Sequence, residues 1–206
     1  MAVGIVGSAS SDLRVPWVRI VPTCRLITLT GCAATRSTLQ ADYHAGVYLD
    51  ALEFLEEERD AWAPFEALAT LTDEQLSAPV DGAHGWSGRA LMGHLLEYQE
   101  LAMAAATELA VNEASPTIAR VDADWDARDG AVINAEVDAR WAARSMEDIR
   151  ERFRKVPGEL RGYLTVVPET RWLKHADHRR FFLEETTEHY EEHRADLEAI
   201  LEAARG

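Results

Sequence analysis

Seven histidines are spread along this 206-residue chain, and three of them stand where a helical repeat calls for Leu or Ile. His94 falls in the series Leu91, His94, Tyr98, Leu101, Ala105, and the other two in the series Phe182, Thr186, His189, His193, Leu197, Ile200. Apolar positions three and four apart make the inward stripe of an amphipathic helix, so all three imidazoles are aimed into a core. His189 and His193 are one turn apart on the same face and can converge on one ion, with His94 adding a third nitrogen from another helix. Uncharged imidazole is the commonest metal-binding side chain, and three protein nitrogens leave positions open for water or substrate, which suits catalysis. Ligand type admits Zn²⁺, Ni²⁺ or Fe²⁺ without choosing among them. The plain alternative for any one of these residues is a hydrogen-bonded packing histidine. Two on one turn facing a third favour the metal site.

Glu185 lies four residues before His189 and is the candidate catalytic residue, either orienting that ligand or acting as a base; Glu97, three after His94, is its rival. A solvated carboxylate is the plain alternative for both. The residue after His189 is Tyr190, so no HExxH pattern is present and a thermolysin-like protease is disfavoured. Trp86 and Tyr98 either line a pocket or pack in the core. His44, His84, His175 and His178 fall in loops or at helix ends and read as solvated.

Four helices are expected to carry these groups. Helix 1 runs from about Asp42 to Leu71 on a stripe of Leu52, Leu55, Trp62, Phe65 and Leu68. After a loop with Pro79, Gly82 and Gly85, Ser87 is a natural N-cap for helix 2, which reaches about Val111. Asn112 to Asp129, with Pro116 and many acidic residues, reads as a long loop, resuming as a short helix from about Ala131 to Ala143. Ser145 opens helix 3 through a capping-box variant, on a stripe of Met146, Ile149, Phe153, Val156, Leu160 and Tyr163, with a kink or break expected at Pro157-Gly158. Helix 4 starts near Asp177 to Arg180 and runs to about Ala204. With no competing strand signal, the expected fold is all-α, a four-helix bundle over residues 41–206.

Residues 1–40 differ in character, with four Arg, one Asp and no sustained helical period, and read as a disordered extension or a start codon placed too early. Leu29-Thr30-Gly31-Cys32 matches a bacterial lipoprotein cleavage pattern, but Arg25 leaves too short an apolar stretch before it, so lipidation at Cys32 is the minor reading. Cys24 and Cys32 are the only cysteines, so from residue 41 onward there is no protein thiol for a disulfide, a zinc thiolate or a nucleophile. A formal net charge of −15 is opposite to the footprint of a nucleic-acid binder. No apolar run approaches the roughly 18 residues of a membrane span.

Gly85-Trp86-Ser87-Gly88-Arg89-Ala90-Leu91-Met92-Gly93-His94-Leu95-Leu96-Glu97 resembles the segment that carries the first metal-binding histidine of the DinB/YfiT-like superfamily. Glu188-His189-Tyr190-Glu191-Glu192-His193-Arg194-Ala195-Asp196-Leu197 resembles its closing HxxxH motif. The resemblance spans about Tyr43 to Ala204, with Ala90 standing where an acidic residue is common. It implies a bacterial, cytoplasmic four-helix bundle that holds a divalent metal, often nickel or zinc, on His94, His189 and His193. The superfamily includes mycothiol-dependent maleylpyruvate isomerase and S-transferases that use mycothiol or bacillithiol. A composition of 19 Arg to 2 Lys, suggesting GC-rich coding, is compatible with a mycothiol-making bacterium.

The leading expectation is a metal-dependent transferase or isomerase in which the ion activates a low-molecular-weight thiol toward a small electrophile. The co-substrate supplies the sulfur that the folded part lacks. Alternatives are a hydrolase activating water at the same ion, and a non-catalytic, metal-stabilised stress-response module that pairs as a homodimer.

Overall fold

The computed structural model describes residues 48–206. The expected extension at 1–40, the lipoprotein pattern at Cys32, the start of helix 1 near Asp42, and His44 lie outside the described residues.

Helix α1 spans Ala51–Trp62, with the Asp50 side chain accepting the Glu53 N–H at its start. Its buried residues are Phe54, Glu58 and Trp62, one turn apart, whereas Leu52, expected to lead the stripe, is exposed. The helix was expected to continue to Leu71 but gives way at Ala63. Pro64 has no N–H for the carbonyl one turn back, and the chain tightens into a 3₁₀ segment, Ala63–Thr70, that buries Phe65 and Leu68. A short helix α2, Asp73–Ser77, follows behind a Thr72–Gln75 capping box.

The turn at 81–86 ends where Ser87 accepts the Ala90 N–H and opens α3, Gly88–Val111. Residues 112–129 are not a long loop. Ser115 caps and Pro116 starts α4, Pro116–Ala127, and α5 spans Gly130–Ala142. Pro at the first helical position and Ser before it are start signals, and here they outweigh the acidic composition. Glu108 near the end of α3 anchors the junction by accepting from the Ser115 hydroxyl and from the Thr117 N–H (3.0 Å) and hydroxyl (2.9 Å).

Helix α6, Met146–Leu164, is continuous through Pro157, so of the kink or break expected there the break does not occur. It makes the most extensive helix-to-helix contact among the described residues, along α3, and buries Ile149, Phe153, Val156, Leu160 and Leu164. A pairing of that extent outweighs the roughly 3 kcal/mol penalty of an interior proline. Tyr163, expected on the stripe, is exposed. The expected helix 4 is instead three pieces: α7, Ala176–Glu185; α8, Thr187–Glu192; and α9, Arg194–Ala203.

The fold is all-α, and the described residues hold no strand beyond an isolated bridge between Pro79 and Ser87. Helix α3 is central: α4, α5, α6 and α7 all pack on it, while α1 packs on α6 and α8. One apolar cluster, with Trp62, Phe65, Phe153 and Tyr190, lies beneath the histidines; a second, with Phe54, Trp172 and Phe182, fills the other end. No helix among the described residues is long and apolar enough to cross a membrane.

Candidate metal centre

His94 comes from the second turn of α3, His189 from α8, and His193 from the junction between α8 and α9. The chain leaves helical geometry twice around the last two. At Thr186 (φ −129°, ψ −99°) the hydroxyl donates back to the Phe182 carbonyl, a bond that competes with the helical ladder and bends it. At His193 (φ −97°, ψ 6°) the N–H still reaches the His189 carbonyl at 3.3 Å, so the one-turn spacing of the pair survives.

All three histidines are buried, and one ring nitrogen from each lies within 4.8 Å of the others. The ring centroids form a nearly equilateral triangle: His94–His189 4.9 Å, His94–His193 4.8 Å and His189–His193 4.9 Å. An ion about 2.0–2.1 Å from one nitrogen of each ring sits about 3.2 Å from each centroid, and rings at about 90–109° around it stand about 4.5–5.2 Å apart. The triangle falls within that range. His94 Nδ1 is buried and meets no hydrogen-bond partner among the described residues. Leaving such a group unsatisfied costs about 1–3 kcal/mol, so an electron-pair acceptor fits the cluster. Burial, reinforced by the neighbouring His189 and His193, pushes His94 well below the ordinary histidine range, which keeps it in the neutral form a cation requires.

Compared with known protein families, curated proteins and solved structures, the chain matches none.

The groups around the triangle have distinct tasks. Trp86 packs on His94 and His193 (4.8 and 5.5 Å between centroids), and Tyr98 on His94 and His189 (4.9 and 4.2 Å), so both aromatics wall the cluster. Tyr98 also lines a cleft of about 250 Å³ between α3, α4 and α5, with Trp125, Ile133 and Arg120 on its walls. Glu97, the rival base, is committed elsewhere: it accepts from Trp141 Nε1 at 2.7 Å and from Arg140 at 2.6 Å. Gly93 admits Trp141 beside α3, since a β-carbon there would lie 2.6 Å from Trp141 Cβ. Glu185 is buried at the end of α7, and the mutually close ligand atoms are those of the three histidines, without a carboxylate, among the described residues.

Two partners were missed in the sequence. Asp196, three after His193 and buried, accepts from His193 Nδ1 at 2.9 Å and from His84 Nδ1 at 3.0 Å. Burial opposes its charge, but the bonds from His193 and His84 outweigh that and hold its carboxyl below the usual range. The spacing of three was the available signal, because a ligating histidine commonly donates its other nitrogen to a carboxylate. His84 is therefore not simply solvated. Nor is His178, which is buried, stacks on His175 at 3.9 Å and directs Nδ1 to the Arg171 carbonyl.

Proposed function

We propose that the chain is a DinB/YfiT-like four-helix-bundle metalloprotein that joins a low-molecular-weight thiol, mycothiol or bacillithiol, to a small electrophile or isomerises the resulting adduct. The bundle reading is supported by α1, α3, α6 and the α7–α9 run, which occupy the four expected helical stretches. The observation that carries the functional reading is the donor set: one ring nitrogen from each of three buried imidazoles, mutually within 4.8 Å. A divalent zinc, nickel or iron ion, when bound there, would supply Lewis acidity and a positive charge, held by neutral imidazoles, that favours an anionic co-substrate such as a thiolate.

The chain's residues do the rest. His94 stays uncharged through burial and offers its nitrogen to the ion. Asp196 fixes the ring of His193. Trp86 and Tyr98 shield the cluster from water, and the cleft behind Tyr98 seats the electrophile against Trp125 and Ile133. Glu185 is assigned the thiol's proton.

The test is thiol conjugation to an electrophilic dye by protein loaded with zinc, nickel or iron(II), offered mycothiol and bacillithiol separately. The reading expects turnover that needs both metal and thiol and falls at least about tenfold in Glu185→Gln. Hydrolysis of an ester or amide without added thiol would favour a water-activating enzyme instead. Tightly held metal with no turnover by any thiol would favour a binding module.

A further inference from the structure

We propose that His84 is a positioning residue for the metal centre, acting through Asp196 to hold the ring of His193. The inference rests on the three-histidine reading above. Asp196 divides its carboxylate between two rings, Oδ2 to His193 Nδ1 and Oδ1 to His84 Nδ1. Each oxygen is engaged, so the carboxylate is fixed in rotation as well as in place. With Nδ1–H of His193 donated to Asp196, the lone pair of that ring resides on Nε2, and a fixed carboxylate means a fixed lone-pair direction.

The backbone at His84 indicates that this bond has a use. His84 has φ 55° and ψ 27°, and it is the one non-glycine residue with positive φ among the described residues. A β-carbon is disfavoured there, and Gly or Asn would occupy the position with less strain. Its side chain is half exposed, so core packing does not account for a histidine at this point. The conformation instead brings a ring nitrogen to a buried carboxylate 112 residues away in sequence. Strain held by surrounding structure is a mark of functional positions.

The supporting turn is tied by backbone hydrogen bonds. His84 N–H donates to the Asp81 carbonyl at 3.1 Å, Gly85 N–H to Val80 at 3.0 Å and Trp86 N–H to Ala83 at 2.8 Å. Helix α9, which begins just after His193 and carries Asp196, packs on this turn, with Ala199 Cβ only 3.2 Å from where a β-carbon at Gly82 would lie. The same turn delivers Trp86 to the rings of His94 and His193. One short segment therefore covers the centre with an indole and braces its Asp–His pair with an imidazole.

Two substitutions separate the bond from the backbone. His84→Asn tolerates the left-handed conformation and places an amide nitrogen near the position of Nδ1. His84→Gly tolerates the conformation and removes the donor. Zn²⁺ and Ni²⁺ are titrated separately into each protein against a chromophoric chelator, with thermal melts checking that the fold is kept. Removing such a partner commonly weakens binding about 10–100-fold, so His84→Gly is expected to lose at least about tenfold in affinity and His84→Asn to stay within about twofold of wild type. In the metal-free proteins, ¹⁵N-histidine NMR should show His193 as the Nδ1–H tautomer in wild type and His84→Asn, and as a mixture in His84→Gly. Folded His84→Gly that binds both metals like wild type, or His84→Asn as weak as His84→Gly, overturns the positioning role alone. Wild type that takes up neither metal overturns the three-histidine reading and this inference with it.

Discussion

Gly93 precedes His94 on α3 and faces α5, so replacing it by Ala tests whether the close approach of these two helices requires a glycine. A β-carbon at position 93 would lie 2.6 Å from Trp141 Cβ and 2.9 Å from its Cγ. These atoms are the root of the side chain and cannot swing away, so α5 itself must shift. Trp141 is buried and its indole N–H is bonded to Glu97, which resists that movement. Overpacking of this kind costs about 1–3 kcal/mol, and the backbone-near contact places it toward the upper end. Ala in a helix interior returns about 1 kcal/mol relative to Gly, which leaves a net loss of about 2 kcal/mol. For a chain of this size that is a fall of about 4–8 °C in melting temperature. Gly158, in the interior of α6, is the control, because a β-carbon there meets nothing within 4 Å. Gly158→Ala should therefore stabilise by about 0.5–1 kcal/mol. Both are read by urea unfolding and thermal melts of the full chain. Gly93→Ala as stable as Gly158→Ala would refute the argument that this glycine is required by the packing of Trp141.

Glu108→Gln should cost about 1–2 kcal/mol at neutral pH by weakening the bonds to Ser115 and Thr117, seen as a lower urea midpoint. Burial opposes the Glu108 charge, but those bonds prevail and hold its carboxyl below the ordinary 4.5. Its contribution is thus present above the unfolded value and lost as pH falls from about 4.5 through the depressed folded one, and the Gln variant should flatten the stability profile in that acid window. Tyr190→Phe removes the hydroxyl that donates to Glu58 at 3.0 Å and accepts from Gln99 at 2.8 Å, both buried. A loss of about 1–3 kcal/mol in stability with unchanged zinc affinity is expected, since the tyrosine supports the core beneath the site without touching the ion's ligands through its hydroxyl.

The inward histidines were readable because His94, His189 and His193 replace aliphatic residues in a strong helical repeat, and a three-or-four spacing survives local distortion. The breaks at Thr186 and His193 were not readable, because a back-bonding hydroxyl and a tight non-helical junction leave the hydrophobic period unchanged. Helix α4 was hidden by composition: Asp122, Asp124 and Asp126 dominate its sequence, while Thr117, Ile118 and Val121 give too short a buried stripe to register. Its start signals at Ser115 and Pro116 were present in the sequence. At Pro157 the expectation was a kink or a break, and the break is absent because the long packing of α6 on α3 carries the helix through. Asp196 was within reach by spacing from His193, but its second partner, His84, is brought in by tertiary structure and no local pattern announces it.

The central claim is that His94, His189 and His193 hold one divalent ion. Its most direct test is elemental mass spectrometry on untagged protein loaded in turn with zinc, nickel and iron(II), combined with X-ray absorption at the edge of the metal retained. One ion per chain, lost in His189→Ala, with zinc–nitrogen distances of about 2.0–2.1 Å where zinc is retained, is the predicted result. No ion retained from any of the three metals by folded wild-type protein, or full occupancy in His189→Ala, would contradict it.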